Sequence, residues 1–314
     1  MHDVVSIILV TCGKNDYYIP CLMSIRAQTH QAIEVILIDN SLLPVLPEKA
    51  REIYPQLKIY TSEKNLYYCD SMNKGILHSR GAYILCLNDD VTLAPDFLEK
   101  ALKGFLESEQ VGMVSGKILR QDRHTVDSTG LFLTAWRTAR ERGYGAADRG
   151  QFERAGYIFG VSGAAALYRR KMLEDVRLGG VWFDPVFRIF FEDLDVAWRG
   201  YRRGWRGYYV PGAVAYHVRG GSVRQGPGFG KSFARQYLSD DLHVDLVKNR
   251  YLTMMRNETW RSFLIFMIPV FWHDLCAWGY ILLFKRHLAG RILADLSKAL
   301  RSGRQSVLSQ ESKA

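Results

Sequence analysis

Two adjacent aspartates follow an apolar run in the first third of the chain. The run covers residues 83–87 and predicts a strand that is buried on both faces, and Asn88, Asp89 and Asp90 come directly after it. In open α/β sheets, ligands bind beyond the carboxyl ends of the strands. Adjacent carboxylates repel each other unless a cation or a hydrogen-bond donor offsets their charge, so these side chains suit a divalent metal that carries a phosphorylated ligand. The alternative is a polar turn that caps the next helix.

A second acidic cluster opens a predicted helix later in the chain. Glu192, Asp193 and Asp195 follow Phe190 and Phe191 directly. Acidic residues are favoured at a helix N-terminus by about 0.3–1 kcal/mol each, so this cluster can be purely structural. An apolar surrounding, however, raises the proton affinity of a carboxylate, which suits a general base that acts on a hydroxyl.

Further candidates for ligand contacts lie on either side of this cluster. His217 ends a predicted strand just before a glycine-rich stretch, which makes it a better metal ligand candidate than an isolated histidine. Gly163 and Ala164 are small enough to let the backbone approach a sugar closely. Trp182 is a third candidate for contact with the donor sugar or the acceptor.

The elements that must position these residues alternate between strand and helix from the start of the chain. This order predicts a mostly parallel sheet with right-handed crossovers. Polar residues follow three strands, at Thr11, at Asp39 and at Asn88. The arginine- and glycine-rich residues 135–154 show little periodicity and predict a mobile loop over the site or an ordinary solvated connector. The first predicted strands cover residues 4–10, 33–38, 58–61 and 83–87, and predicted helices cover residues 17–28, 65–79 and 95–107.

The first strand–helix–strand unit lacks the glycine fingerprints of common nucleotide-binding proteins. Residues 11–15 contain one glycine, and no Walker-type phosphate loop is present. What remains is a nucleotide site without a glycine-rich loop. In such a site Asp39 can accept hydrogen bonds from a base N–H, and Asn15 or Asn65 can reach the base or the ribose. Caps and turns are the alternative roles for all three residues.

The joint order of these motifs, over about residues 4–225, resembles glycosyltransferases of family 2 and especially their bacterial rhamnosyltransferase-type branch. The resemblance implies the α/β GT-A fold, a Rossmann-like and mostly parallel sheet with flanking helices. It places the family's Asp-x-Asp metal motif on Asn88-Asp89-Asp90 and its Glu-Asp base motif on Glu192-Asp193. The family's metal-ligating histidine, with a following Gly and Ser, falls on His217, Gly221 and Ser222.

The mechanism that the resemblance implies is a single inverting displacement. Asp90 and His217 hold Mg²⁺ or Mn²⁺ against the donor diphosphate, and Asp193, in preference to Glu192, takes the proton of the acceptor hydroxyl. Thr11, Asp39, Asn88 and Asp89 match donor nucleotide-binding positions. The implied donor is a nucleoside-diphosphate sugar such as dTDP-rhamnose or a UDP-sugar, and the implied acceptor is a glycan or a polyprenyl-diphosphate-linked sugar of cell-surface polysaccharide synthesis.

Two departures from the family pattern affect this interpretation. Asn88 stands in place of the first aspartate, so two side chains of this motif are not expected to share the metal. Tyr67 and Tyr68 stand where relatives often have Gly and an aromatic residue, which predicts a narrower pocket for the donor base.

Composition is that of a globular protein in a reducing compartment. The 314 residues are 48% hydrophobic, and the five cysteines have no metal-type spacing and imply no disulfide framework. The N-terminus shows no signal-peptide pattern, which favours a cytoplasmic enzyme. The net charge of +10 fits an anionic membrane, an acidic substrate or nucleic acid.

The end of the chain has a different character from the rest. Residues 263–284 are almost wholly apolar and are interrupted by Pro269, His273 and Asp274. This run is long enough for one membrane span, but aromatic residues and a basic flank favour an interfacial anchor on the cytoplasmic face of the membrane. A homo-oligomer interface, a true span and a core helix are the alternatives.

These patterns predict a division of the chain and leave two rival functions. A catalytic domain covers residues 1–225, a flexible glycine-rich loop and a linking helix cover 226–259, and membrane-associating helices cover 260–314. A nucleotidyltransferase would carry a glycine-rich basic loop after the first strand, which is absent here. A nucleic-acid-binding module would interleave basic and exposed aromatic residues, whereas the aromatics here have apolar neighbours, so no nucleic acid partner is expected.

Overall fold

A computed structural model describes residues 4–219 and 239–311, and ten strands of this part form one mixed sheet. The main path of the sheet runs β10-β12-β6-β11-β4-β1-β2-β3, with β5 paired to β12 and β7 paired to β6. The remaining two strands, β8 and β9, form a hairpin. The strands are β1 (Val5–Thr11), β2 (Ile33–Asp39), β3 (Lys58–Thr61), β4 (Tyr83–Asn88), β5 (Val91–Leu93), β6 (Val111–Arg120), β7 (Val126–Ser128), β8 (Leu131–Leu133), β9 (Ala139–Glu141), β10 (Gly156–Ile158), β11 (Ala165–Arg169) and β12 (Arg206–His217).

The N-terminal half of the sheet is parallel, as the alternation of strands and helices predicts. β1 lies between β2 and β4, with Thr11 opposite Asp39 and Val10 opposite Asn88. Because these strands run in the same direction, their polar ends meet at one edge of the sheet. The buried strand that precedes the paired aspartates is confirmed as β4, whose central residues are fully buried.

Helices cover both faces of this sheet and build two apolar cores. One core joins the strands to α1, α2 and α4 through side chains such as Leu22 and Phe97. The other joins them to α3, α5 and α6 through Met72, Met172 and Val196, and α7 and α9 also contribute to it. The helices are α1 (Tyr18–Arg26), α2 (Leu46–Ile53), α3 (Tyr67–Leu77), α4 (Phe97–Lys103), α5 (Arg170–Asp175), α6 (Glu192–Arg202), α7 (Asp240–Asn257), α8 (Trp260–Phe284) and α9 (His287–Glu311).

The predicted mobile loop over residues 135–154 is instead ordered structure. Its first part forms β9, which pairs with β8. Arg137 is buried and ion-paired with Glu258 beyond the end of α7, and Lys117 pairs with Asp148 at 3.0 Å. These partners are far away in sequence, so the lack of periodicity gave no sign of them.

α7 belongs to the packed body rather than to a separate linker. The Asn249 side-chain amide donates hydrogen bonds of 2.8 Å to the carbonyls of Phe187, Ile189 and Phe190, and Asn257 donates to Asp195 at 2.8 Å. α7 therefore holds the segment that leads into α6. The glycine-rich loop predicted before α7 lies outside the described residues.

α8 is a single helix that contains Pro269 and leaves most of its apolar surface uncovered. Only Val270, Tyr280 and Ile281 are buried, whereas Ile265 is 72% and Ile268 67% exposed. The core-helix alternative is therefore wrong. Within the described ranges, α8 is also the one helix that is long and apolar enough to cross a membrane, by length and composition.

Candidate active site

Asp90 and His217, which are far apart in sequence, face each other in the structure. β5 begins directly after Asp90 and pairs with the end of β12, where His217 lies opposite Val91. This pairing places Asp90 Oδ1 3.2 Å from His217 Nε2. The two predicted metal ligands thus lie together at the sheet edge that carries the strand ends.

A residue that the sequence did not reveal fixes the orientation of this histidine. The Asp127 carboxylate on β7 is fully buried and lies 2.8 Å from His217 Nδ1, and it also pairs with Arg219. Burial alone would lower the pKa of His217, but its hydrogen bonds to Asp127 and Asp90 raise it to about 9. A ligating histidine typically gives its other ring nitrogen to a carboxylate in this way.

The donor set at this position suits a divalent cation. Carboxylate oxygen and imidazole nitrogen are ligands that Mn²⁺ accepts, and carboxylate oxygen suits Mg²⁺. Across residues 4–219 and 239–311, no group of three His, Cys, Asp or Glu side chains is arranged to hold a metal. Asp90 and His217 thus fit a cation whose other ligands come from a diphosphate and water. Gly221 and Ser222 lie outside the described residues.

The two adjacent aspartates have different partners. Asp89 accepts a hydrogen bond of 2.5 Å from Thr11 Oγ1, which in turn accepts one of 2.9 Å from the Gly13 N–H. Burial raises the pKa of Asp89 to about 6; the charge of Asp90 adds to this rise, and the Thr11 hydrogen bond opposes it. Asp89 therefore stabilises the turn after β1, whereas Asp90 faces His217.

The other predicted nucleotide contacts differ in how close they come to this edge. Asp39 is buried at the end of β2, and its carboxylate accepts the Ser41 N–H at 2.8 Å. Asn88 lies at the end of β4 opposite Val10. Asn15 is exposed and donates to Tyr17, and Asn65 accepts the Tyr67 N–H at 2.8 Å, a turn-stabilising contact before α3.

A further polar residue at this edge was not predicted. Asn40 is buried directly after Asp39, donates to Ser71 Oγ at 2.8 Å and accepts the Leu66 N–H at 3.4 Å. It connects the end of β2 to the loop before α3. Its position directly after Asp39 was the one sequence feature that could have identified it as a residue of this edge.

The two carboxylates at the start of α6 have sharply different surroundings. Asp193 accepts backbone N–H groups from Gly163 at 3.1 Å and from Leu194 at 2.7 Å. Glu192 is buried, and its Oε2 has no hydrogen-bond partner among the residues that the structure describes. Burial, and then the charge of Asp193, raise the pKa of Glu192 well above its usual range. Burial also raises the pKa of Asp193, but its N–H donors oppose the rise.

Gly163 and Ala164 connect this acidic pair to the strand that carries the paired aspartates. Gly163 donates its N–H to Asp193, while the Ala164 carbonyl accepts the N–H of Asn88 at 3.0 Å. The Tyr68 hydroxyl donates to the Gly163 carbonyl at 3.0 Å. Gly163 and Ala164 therefore link the predicted base, Asp193, to the first residue of the predicted metal motif, Asn88.

Trp182 does not reach this site. Its side chain is 5% exposed and packs in the core with α3 and α5, and its indole N–H donates to Glu174 at 3.1 Å. It is absent from the lining of the cavity that contains Asp193. The structure therefore gives no support to the predicted contact between Trp182 and the sugar or the acceptor.

Glu141, at the end of β9, is a carboxylate of the site that sequence reasoning missed. It accepts hydroxyl hydrogen bonds from Ser128 and, at 2.9 Å, from Ser162. Burial raises the pKa of Glu141 to about 7; the charge of Asp193 adds to the rise, while the Ser128 hydrogen bond and the charge of Arg219 oppose it. No local pattern marks this residue, because the hairpin of β8 and β9 brings it to the site.

Glu141, Glu192 and Asp193 line part of a cavity of 1220 Å³. The cavity continues between the β8–β9 hairpin and the helices α7 and α8. Asp193 is partly exposed to it, so its carboxylate is accessible to a ligand.

Comparison with known proteins agrees with this geometry. The model of the family described as glycosyl transferase family 2 matches residues 6–177, more than half of the chain. The chain belongs to glycosyltransferase family 2. Its members transfer sugars, so the protein is a glycosyltransferase, and the resemblance inferred from the motifs is confirmed.

Two curated members of the family are similar over most of this chain. An N-acetylglucosaminyl-diphospho-decaprenol L-rhamnosyltransferase of Mycobacterium tuberculosis is 24% identical over 256 residues, which cover 72% of this chain and 80% of the relative. An N-acetylglucosaminyltransferase of Sinorhizobium fredii is 28% identical over 268 residues, which cover 79% of this chain and 61% of the relative.

Similarity to a solved glycosyltransferase structure confirms the GT-A fold. The mannosyltransferase PcManGT from Pyrobaculum calidifontis, in complex with GDP-Man and Mn²⁺, has a TM-score of 0.55 and 17% identity. The match covers 100% of this chain and 81% of that one. The predicted mixed α/β architecture with a C-terminal helical region is therefore correct.

Proposed function

We propose that this glycosyltransferase is metal-dependent and inverting, and that it transfers a sugar from a nucleoside-diphosphate donor to a hydroxyl of a cell-surface glycan precursor. One observation carries this proposal. The connection from Asp193 through Gly163 and Ala164 to Asn88 puts a carboxylate close to, but separate from, the Asp90–His217 pair. A base and a diphosphate site on two sides of one sugar are what a single displacement needs.

The chain's own residues account for the steps of this reaction. Asp90 and His217 would hold Mg²⁺ or Mn²⁺, which offsets the negative charge of the leaving diphosphate when it is bound. Asp193 accepts the proton of the acceptor hydroxyl while that oxygen bonds to the anomeric carbon and the bond to the diphosphate breaks. The N–H groups of Gly163 and Leu194 hold the Asp193 carboxylate in place. Attack opposite the leaving group inverts the anomeric centre, and no covalent enzyme intermediate forms.

The structure favours Asp193 over Glu192 as the base. Two N–H donors stabilise the ionised form of Asp193, whereas Glu192 has a buried oxygen without a partner among the described residues. A buried carboxyl without donors is disfavoured in its charged form. Burial and the charge of Asp193 therefore favour the neutral form of Glu192, which makes it the weaker candidate for the base.

The names of the relatives support particular substrates. The mycobacterial relative is a rhamnosyltransferase that acts on a decaprenyl-diphosphate-linked sugar, and the rhizobial one transfers N-acetylglucosamine. We propose that the donor of this chain is dTDP-rhamnose or a UDP-sugar and that its acceptor is a glycan or a polyprenyl-diphosphate-linked sugar. Thr11, Asp39 and Asn88 at the sheet edge are the positions proposed to contact the donor nucleotide. Asp89 supports this edge by accepting the Thr11 hydrogen bond.

The location that suits such an acceptor is the cytoplasmic face of the membrane, with α8 in contact with it. The exposed apolar side chains of α8 support this proposal. Of the basic residues that flank α8, Lys285 forms an ion pair with Asp240 at 2.9 Å, so Arg261 and Arg286 remain for anionic lipid. Flotation with anionic vesicles tests it, and a full-length protein that sediments as a stable dimer without lipid would favour the oligomer interface instead.

The transfer itself is tested by incubating the full chain with nucleoside-diphosphate sugars and following release of the nucleoside diphosphate. We expect metal-dependent thermal stabilisation by one donor and none by the others, because a ligand that binds only the folded state raises its stability. Asp90→Ala removes this stabilisation. Full transfer in excess EDTA would contradict the metal assignment, and release of pyrophosphate from a nucleoside triphosphate would favour a nucleotidyltransferase.

A further inference from the structure

The cavity at Asp193 is larger than one sugar requires. Its 1220 Å³ exceeds the roughly 300–1,000 Å³ of pockets that enclose a whole drug-sized molecule. Glu192, Asp193 and the β8–β9 hairpin supply one part of its lining, and residues of α7 and α8 supply the other part, the far end. A donor sugar and an acceptor hydroxyl at Asp193 therefore leave the far end of the cavity unaccounted for.

One face of α8 lines this far end along its length. Its lining residues recur at intervals of three and four, as residues on one face of a helix do. They extend from position 269 to position 281, which is about 18 Å at ~1.5 Å per residue. These lining residues include Pro269, Trp272, Cys276, Ala277, Tyr280 and Ile281.

A polar cluster interrupts this apolar lining near its middle. Asp274 of α8 is ion-paired with Arg250 of α7, and His273 lies beside Asp274 at 3.5 Å. Arg250 also donates to the Trp136 carbonyl of the hairpin at 2.8 Å. Arg250, His273 and Asp274 all line the cavity. This pairing explains the two polar residues that interrupt the apolar sequence of α8.

We propose that the cavity binds the acceptor as a glycosyl diphosphate lipid, with its sugar at Asp193, its diphosphate at Arg250 and His273, and its isoprenoid chain along Cys276 and Ala277. Asp193 lies near Glu141 of the hairpin, Arg250 donates to the Trp136 carbonyl of the same hairpin, and Asp274 of α8 pairs with Arg250, which gives the order of the three parts. This inference rests on the proposed function, because it takes Asp193 as the base. Arginine and histidine donate hydrogen bonds to phosphate oxygens, and the apolar face of α8 gains from burial against hydrocarbon.

A long glycan fits the far end less well than an isoprenoid chain. Its hydroxyl groups would be buried against Cys276, Ala277 and Ile281, and a hydroxyl without a hydrogen-bond partner costs roughly 1–3 kcal/mol. Apolar residues of α8 outside the cavity lining are also exposed, with Leu264 at 57% and Leu283 at 78%. An isoprenoid chain leaving the cavity along α8 would meet this surface, which suits a lipid bilayer.

Two exposed cysteines allow the two ends of the site to be tested separately. Cys276 lines the far end of the cavity, and Cys12 follows Thr11 at the donor edge, whereas Cys21, Cys69 and Cys86 are buried. In the full-length protein, farnesyl diphosphate is expected to slow the alkylation of Cys276 by a maleimide at least tenfold and to leave Cys12 unchanged. UDP or dTDP with Mn²⁺ is expected to protect Cys12 and not Cys276.

The arms of this experiment separate the possible failures. Protection of Cys276 by chitotriose instead of farnesyl diphosphate would replace the lipid with a glycan and overturn the proposal. Equal protection of Cys276 by phosphatidylcholine vesicles would show that this end of the cavity contacts the bilayer instead of binding an acceptor. Absence of protection by every probe would show that no ligand binds there. Either outcome overturns the proposal. If nucleotides fail to protect Cys12 while farnesyl diphosphate protects Cys276, the proposed function fails and the lipid site stands.

A pair of variants on the same helix gives an independent check in a transfer assay. Ala277→Trp fills the far end of the cavity and is expected to raise KM for a lipid-linked acceptor at least tenfold. Ile268→Trp adds the same side chain on the exposed side of α8 and is expected to change KM less than twofold. Melting temperatures show that both variants fold. Equal KM values for the two folded variants would overturn the proposal.

Discussion

The proposed donor edge and the proposed acceptor cavity are built by different means. At the donor edge, Thr11, Asp39 and Asn88 lie on neighbouring parallel strands, and Thr11 donates a hydrogen bond to Asp89. Around the cavity, ion pairs hold the hairpin, α7 and α8 together, as in Arg137–Glu258 and Arg250–Asp274.

This difference suggests that the fold alone provides the proposed donor site, whereas the proposed acceptor site depends on added helices. The parallel strands meet at their carboxyl ends in any sheet of this type. The hairpin, α7 and α8 have to be held against the sheet by specific side chains. Variants at the two sites should therefore fail in different ways.

The largest expected effect is on the reaction itself. Asp193→Asn removes the proton acceptor but keeps the size of the side chain and its place at Gly163. Turnover should fall by about 10²–10⁴, the usual contribution of a positioned base. Steady-state kinetics with a purified donor and acceptor measure this loss, with donor affinity by calorimetry as the control. Turnover within twofold of the parent would assign the base elsewhere.

The next effect is on the stability of the acceptor side. Glu258→Ala leaves the buried Arg137 without its partner, and loss of one member of a buried pair costs about 3–5 kcal/mol. Denaturant unfolding measures this loss. The control is Glu99→Ala, which breaks the exposed pair with Lys103 at 3.3 Å and should cost far less, because exposed ion pairs contribute little to stability. Equal losses in the two variants would show that the buried pair does not hold the hairpin.

A smaller effect is expected at the donor edge from a residue that does not touch the substrate. Asp127→Asn weakens the hydrogen bond that orients His217, and such changes typically cost 10–100-fold in metal affinity. Titration with Mn²⁺ in the presence of the donor nucleotide measures the affinity. Asp122→Asn, in an exposed turn of the same segment, is the matched control. The account of Asp127 fails if the two variants bind Mn²⁺ equally.

The smallest effect should come from the residue next to the base. Burial and the charge of Asp193 raise the pKa of Glu192 and favour its neutral form, which Glu192→Gln mimics. We expect turnover within tenfold of the parent and an unchanged acidic limb of the pH–rate profile. A loss as large as that of Asp193→Asn would show that the two carboxylates share the proton.

The donor edge could be predicted from sequence because its signals are local. The apolar run that ends at Asn88 identifies a strand, and the polar residues at Thr11 and Asp39 end neighbouring strands of the same parallel unit. The acidic pair at Glu192 was also visible, because it opens a helix after two phenylalanines. In each case, strand direction or helix polarity places the side chain without further information.

The residues that were missed depend on pairings that no local pattern reveals. Asp127 reaches His217 because β7 pairs with β6, which lies beside β12. Glu141 reaches the cavity because β9 pairs with β8. The structure gives no support to the predicted contact of Trp182 with the donor sugar or the acceptor, because its indole N–H donates to Glu174 within the core.

The central claim is a single displacement with Asp193 as the base, and the stereochemistry of the product tests it most directly. The full-length enzyme is supplied with a donor of known anomeric configuration, and the new linkage is followed by proton NMR during the first turnovers. The account predicts complete inversion at the anomeric carbon. Retention of the donor configuration would contradict it, because retention requires a second displacement or attack from the face of the leaving group.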